Sequence, residues 1–318
     1  MRTTLKTLAT LLCMLPLSTQ VLAASPRVSV TMSAFDDNFL TVLRSAIAQQ
    51  AATDGVKVQF EDGKNDVSKQ SSQIDNFISS QPDAIIINPV DSTGVLPISQ
   101  NTADADIPLV YVNREPINIK TLPPYQAFVG SSEIEGGTLE ANEVCRLLHG
   151  KGNVLIMQGD LSQQSAILRT KAVEEVFKRP DCNGIKVVDK QIGKWTRTGG
   201  NDLMANWLST NVKFDAVVAN NDEMALGAIQ ALKASGRDMK SVVVAGIDAT
   251  DDAVAAMKAG DLAVTVFQDA RAQGRQSLQV AEQLIKAKQQ NQPTAVPKSI
   301  LIPYTLVTPA TVNQYPKK

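Results

Sequence analysis

The chain reads as an α/β protein built from two doubly wound parallel-sheet domains, and three observations predict it. Short uninterrupted apolar runs alternate with helical stretches, and the whole rhythm occurs twice. The composition is poor in aromatics (4%) and rich in Ala, Val and Ile. Strands that are apolar throughout are buried on both faces, which is the condition of a parallel sheet covered by helices.

The first rhythm begins with the strand Val28-Ser29-Val30-Thr31-Met32. A helix over Asn38–Thr53 follows, with Phe39, Leu40, Val42, Leu43 and Ile47 on one side, and Gly55 stops it. Val56–Phe60 is the next strand, Ser68–Ser80 a helix, and Ala84-Ile85-Ile86-Ile87 a fully apolar strand. A helix around Ser92–Ala105 leads to the strand Pro108–Val112. The second rhythm starts with a helix over Gly136–Leu148 and the strand Asn153–Met157. Then come a helix over Ala166–Lys178, a strand at Ile185–Val188, a helix around Gly200–Ser209 and the strand Ala216–Ala219. A helix over Asp222–Ser235, the strand Val242–Gly246 and a helix over Asp251–Ala259 complete it. The tail is surplus to two equal halves: a strand at Val264–Phe267, a long helix over Ala272–Lys288 and a last strand at Ser299–Pro303. It implies that the chain crosses back to the first domain and returns, making a hinge of several strands.

The N-terminal segment is read as a targeting signal. Arg2 and Lys6 give a positive start, Leu8–Leu17 is mostly apolar, and Val21-Leu22-Ala23 offers a cleavage site. The apolar run is too short to span a membrane, which takes roughly 20 residues. Leu12 precedes Cys13 where a lipoprotein signal carries a small residue, so a soluble exported protein is expected. Cys145 and Cys182 remain after cleavage, near the ends of neighbouring helical segments; in an oxidising compartment they form a disulfide or stay as two buried thiols.

Charge and motifs exclude several functions. A formal net charge of −1 argues for no nucleic-acid partner. The single histidine, His149, sits beside Gly150 at a helix end, and no GxSxG motif is present, so nucleophilic catalysis has no support. Ser33-Ala34-Phe35-Asp36 stands where a dinucleotide enzyme carries its glycine turn. The adjacent pair Asp36 and Asp37 is the only hint of glycosidase chemistry, and neighbours in sequence point different ways. No CxxC pair or Cys/His cluster points to a metal.

Polar residues gather instead at the carboxyl ends of the strands, where open α/β sheets bind ligands. They are Asp36, Asp37 and Asn38; Asn88 and Asp91; Asn113 and Arg114; Asn220, Asn221 and Asp222; Asp248; Gln268 and Asp269. Asn88 and Asp222 are assigned to helix capping. Carboxylates accept hydroxyl hydrogens, Arg donates, and Asn and Gln do both, which is the mixture a polyol needs. Phe39 and Trp195 are candidates to pack on its C–H faces.

The segments FDDNF (35–39), VANNDEMALGA (218–228) and VAGIDAT (244–250) resemble periplasmic solute-binding proteins of the ribose and galactose/glucose type, which serve ABC importers. The resemblance runs over essentially the whole mature chain. It implies a type I binding protein whose two lobes, joined by a three-stranded hinge, close on one sugar. The expected organisation is a signal peptide at 1–23, a first lobe of 24–130 plus 269–298, and a second of 131–268 plus 299–318. Carried over position by position, the ligand contacts are Asp37, Phe39, Asn113, Arg114, Arg169, Trp195, Arg197, Asn221, Asp248 and Gln268, with Phe39 and Trp195 sandwiching the ring.

Some positions depart from the galactose/glucose type. Gln163, Gln164 and Ser165 replace its His and Asp, Gln268 replaces Asn, and the calcium loop is missing at His149–Asn153. VTVFQDA (264–270) and IPYTLVTP (302–309) look more like the inositol- and rhizopine-binding branch. The expectation is a periplasmic, monomeric, non-enzymatic receptor for myo-inositol or a related cyclitol, with ribose or a hexose as the alternative. It needs no cofactor or metal, and its partners are an importer permease and, in a second use, a chemoreceptor or sensor kinase. A sugar-modifying enzyme and a ligand-sensing regulator are the readings of another class; the regulator would need an N-terminal DNA-binding helix-turn-helix where this chain has an export signal.

Overall fold

In the computed structural model, which describes residues 25–315, two parallel sheets lie one after the other along the chain. The expected signal peptide and Cys13 fall outside the described residues.

The first sheet contains β1 (Arg27–Met32), β2 (Lys57–Asp62), β3 (Ala84–Ile87), β4 (Leu109–Val112) and β5 (Gln126–Gly130). Together with β11 (Ser299–Leu301) they run β11-β5-β4-β3-β1-β2, all parallel. Alternate side chains leave a strand on opposite faces, so one strand feeds two cores. Val28, Val30, Ile86, Val110 and Val129 pack beneath α1 (Asn38–Asp54) and α9 (Ala270–Gln289). Ile85, Ile87, Leu109, Tyr111 and Phe128 face the other way, with Ile74 and Phe77 of α2 (Val67–Ser80) and with Ile98 of α3 (Leu96–Asp104) against them.

The second sheet has β6 (Lys151–Gln158), β7 (Gly184–Ile192), β8 (Ala216–Ala219) and β9 (Val243–Ala245), in the order β7-β6-β8-β9. Parallel bridges from Ala245 to Val264 and from Asp248 to Phe267 carry it on to β10 (Thr265–Phe267). β12 (Thr305–Val307) then pairs antiparallel with β10. On one face Leu155, Met157, Val217 and Val244 meet α6 (Arg197–Ser209), α7 (Asp222–Ala234) and α8 (Asp251–Ala259). On the other, Val154, Ile156 and Val218 meet α4 (Glu133–Leu147) and α5 (Gln164–Phe177).

The chain passes between the sheets three times: from β5 into α4, from β10 into α9, and from β11 into β12. This is the fold of a type I binding protein. The strand expected at 299–303 belongs to the first sheet through the Ser299–Phe128 register, so the third crossing comes after Leu301, later than the expected boundary at 298. β5 and β12 are additions to the expected strands. Cys145 and Cys182 form a disulfide, tying the end of α4 to the turn before β7. His149 is exposed in the turn after α4.

Candidate ligand-binding site

Each parallel strand delivers its last residues to the cleft between the sheets. Asp37 and Phe39 come from the turn into α1, and Asn113 and Arg114 follow β4. Asn221 follows β8, Asp248 follows β9, and Gln268 follows β10. Together with Arg169 from α5 and Trp195 from the turn before α6, these nine line one cavity, which Leu40, Gln163 and Ser165 complete. It encloses about 370 Å³ including its opening to solvent. The lobes meet around it. Gln163 Nε2 donates to the Val90 carbonyl at 3.1 Å, the Gln164 amide to Ser92 Oγ at 2.8 Å, and Asn38 Nδ2 to Glu223 Oε1 at 2.8 Å.

Arg197 is the predicted residue the structure does not bring to this cavity. Its guanidinium pairs with Glu223 at 2.9 Å and Asp252 at 2.7 Å, and it lines the adjoining outer part of the cleft. Two acidic neighbours hold it there. The capping assignments also change. Asn221 is the N-cap of α7, accepting from the Met224 amide, while its Nδ2 donates to the Trp195 carbonyl. Asp222 instead accepts from Thr250 and Thr265, tying α7 to the N-cap of α8 and the start of β10. Asn88 caps nothing; it accepts from Ser33 Oγ and donates to Asn113 Oδ1. Asp37 is both a cavity residue and the N-cap of α1.

Backbone strain gathers at the site. Asn113 (φ 67°), Trp195 (φ 66°) and Asp248 (φ 128°) all lie in the left-handed half of conformational space that non-glycine residues avoid. The Trp195 ring lies against Gly159, where an added Cβ would fall 2.0 Å from it.

Several polar atoms at the wall have no protein partner. Trp195 Nε1, Gln268 Nε2 and Gln163 Oε1 are buried without one. Such groups are costly to bury unless something in the cavity meets them. Burial raises the Asp248 pKa well above the ordinary range; Asp222, Asp37 and Glu133 add to the shift and Arg169 opposes it. Burial likewise raises Asp37, against the Leu40 amide and Arg114. Arg114 is pushed down to about 10 by burial, against the pull of Asp37 and Asp160. One of its Nη atoms donates to the Pro89 carbonyl at 2.8 Å, which leaves most of the guanidinium free to meet oxygens.

Arg169 is differently placed. Burial works against its charge, but Glu133, Tyr304 and Asp248 more than offset this and raise its pKa. Most of its N–H groups are already taken by Glu133, the Asn220 carbonyl, Gln268 and Tyr304. Neither Glu133 nor Tyr304 was readable as a partner of Arg169, lying 36 and 135 residues from it in the chain.

Residues 28–289 match the family described as periplasmic binding protein domain. The chain belongs to that family. A Rhizobium meliloti protein named for rhizopine binding is 52% identical over 297 residues, 93% of this chain and 94% of the relative. A xylitol-binding protein of Mycolicibacterium smegmatis is 34% identical, over 82% of this chain and 73% of its own. Among solved structures, an ABC transporter solute-binding protein of Bacillus halodurans with bound myo-inositol superposes with a TM-score of 0.84 at 42% identity, covering 92% of this chain and 97% of that one. The Caulobacter myo-inositol-binding protein, also with myo-inositol bound, gives 0.82 at 27% identity, over 91% and 95% of the two chains. These relatives of the periplasmic binding protein are solute-binding proteins.

Proposed function

We propose that this protein is the periplasmic solute-binding component of an ABC sugar importer and that it carries a monosaccharide-like polyol, myo-inositol or a related cyclitol. The observation that carries this reading is the mixture of donors and acceptors at the cavity wall, of which Trp195 Nε1, Gln268 Nε2 and Gln163 Oε1 have no protein partner. Arg114, Trp195 Nε1 and Gln268 Nε2 donate, whereas Asp37, Asp248 and Gln163 Oε1 accept. A ring with hydroxyls on every edge is donor and acceptor at each position, so it can meet all of them. Phe39 and Trp195 cover its two C–H faces, and Asn113 and Asn221 hold the turns that aim the others. The relatives' myo-inositol, rhizopine and xylitol support a polyol of this kind.

The protein binds its ligand without changing it, acts as a monomer, and presents the closed lobes to the membrane permease. A fructose-binding periplasmic domain of a hybrid two-component system shares the fold with a TM-score of 0.80 at 26% identity, which favours ligand sensing as a second use of this architecture. Titration calorimetry of the ligand-free mature protein against inositols, pentoses and hexoses tests the proposal. Tight binding of a cyclitol, recovered unchanged, is expected. Binding of none of these compounds refutes the polyol reading, and conversion of the bound compound refutes the receptor reading. Trp195→Ala is expected to weaken binding by roughly 2 kcal/mol, as for a buried aromatic anchor.

A further inference from the structure

The cavity is wired to the hinge from both sides, through residues that do not line it. In the second lobe one buried guanidinium gathers a residue from each crossing. Arg169 Nε meets Glu133 Oε2 at 2.5 Å, just past the first crossing. Its Nη2 donates to Gln268 Oε1 at 3.2 Å on the second and to the Tyr304 hydroxyl at 2.9 Å on the third. That hydroxyl donates in turn to Glu133 Oε2 at 3.0 Å, which closes the ring of contacts. In the first lobe Asn113 Nδ2 donates to Gln273 Oε1 at 3.3 Å, near the start of α9. Gln273 Nε2 donates to Ser131 Oγ at 3.0 Å, on the first crossing. Ser131 and Gln273 are fully buried, and Glu133 and Tyr304 nearly so.

We infer that Glu133, Tyr304 and Gln273 are positioning residues that couple occupancy of the cavity to the angle between the lobes. The assignment rests on reading the cavity as the ligand site. Arg169, Gln268 and Asn113 face the cavity with one part of each side chain and the crossings with another. A ligand that orders these three therefore also orders the segments that must twist when the lobes move. Buried polar groups have few alternative partners, so each clamp is either made or broken and does not slide.

Tyr304→Phe, Glu133→Gln and Gln273→Met keep side-chain volume while removing the polar link, and Ile86→Val serves as a control that loosens the core away from the hinge. The lobe-to-lobe distance distribution, read from a pair of nitroxide labels with one on each lobe of the ligand-free chain, decides the proposal. The three variants are expected to broaden it and the control to leave it unchanged; unchanged widths in all three overturn the inference. Affinity for myo-inositol is expected to fall tenfold or more in the same variants, and wild-type affinity in all three would also overturn it. A wild-type protein that binds no polyol would refute the proposed ligand instead, and the label distances would still decide the clamps.

Discussion

At the level of single residues the site depends on shapes that only small or strained positions permit. Gly159 gives the Trp195 ring its resting place, and any Cβ there must displace the indole. Gly159→Ala is therefore expected to weaken polyol binding tenfold or more while the far-ultraviolet circular dichroism stays that of the wild type; unchanged affinity would show that the ring can move aside. Asp248 makes a prediction about protons. Burial raises its pKa, so in the empty cavity it holds a proton to higher pH than an ordinary carboxylate. Ligand hydroxyls that donate to its oxygens favour the ionised form and lower that pKa. Binding then releases protons, and affinity rises with pH through the raised pKa of the empty site. The neighbours that share its field are Asp222, Asp37, Glu133 and Arg169. Calorimetry in buffers of different ionisation enthalpy measures the release, and Asp248→Asn should abolish it. Much of this site was legible in the sequence, because every strand end in a parallel sheet faces the same cleft and its polar residues can be read off in order. Arg197 is not a strand-end residue and entered through the family resemblance; two residues from Trp195 it lies beyond the turn, where Glu223 and Asp252 claim it.

Among the secondary-structure elements, what could be read depended on length and contrast. The strands Ala84–Ile87 and Ala216–Ala219 are apolar throughout, and the sequence alone bounds them correctly. β5 and β12 were not legible, since QAFVG opens on a polar residue and closes on glycine, and TLV is only three residues long. Helix starts were read late where the first turn is polar, as in α4, whose Glu133 and Glu135 favour the positive end of the helix dipole. The disulfide was open from sequence because spacing does not fix geometry. It joins the end of α4 to the turn before β7, at the end of the second sheet remote from the cavity. Closing 37 residues, it should stabilise the folded chain by roughly 3–4 kcal/mol through the entropy of the unfolded state. Replacing both cysteines with alanine is expected to lower the melting temperature and leave polyol affinity within twofold; a large affinity loss would mean that strain from this end reaches the cleft.

Across the whole molecule, the three crossings make the lobes inseparable by any single cut, and the tail shows why. Beyond Pro297 the chain adds an edge strand to the first sheet, crosses at Tyr304, and pairs β12 with β10. It also buries Val307, Val312 and Tyr315 in the core under α7 and α8. A chain ending at Pro297 would leave the first sheet with five strands still covered by α1, α9, α2 and α3. The second lobe would lose four buried side chains, Tyr304, Val307, Val312 and Tyr315, each contributing roughly 1.5–3 kcal/mol. That loss is comparable with the whole stability of a domain, about 5–15 kcal/mol. The truncated chain is therefore expected to keep a folded first lobe beside an unfolded second one. Both tryptophans, Trp195 and Trp207, belong to the second lobe, so their fluorescence reports on that half alone. In water the truncated chain should show the red-shifted emission of exposed indoles while circular dichroism retains about half of its helical signal, a rough figure that follows from one of two similar lobes remaining. Native tryptophan emission from that chain would show that the second lobe holds its core without the tail. In the full-length protein with ligand bound, fluorescence and circular dichroism should instead unfold together in urea, because a ligand gripped by both lobes makes the loss of either one the loss of both.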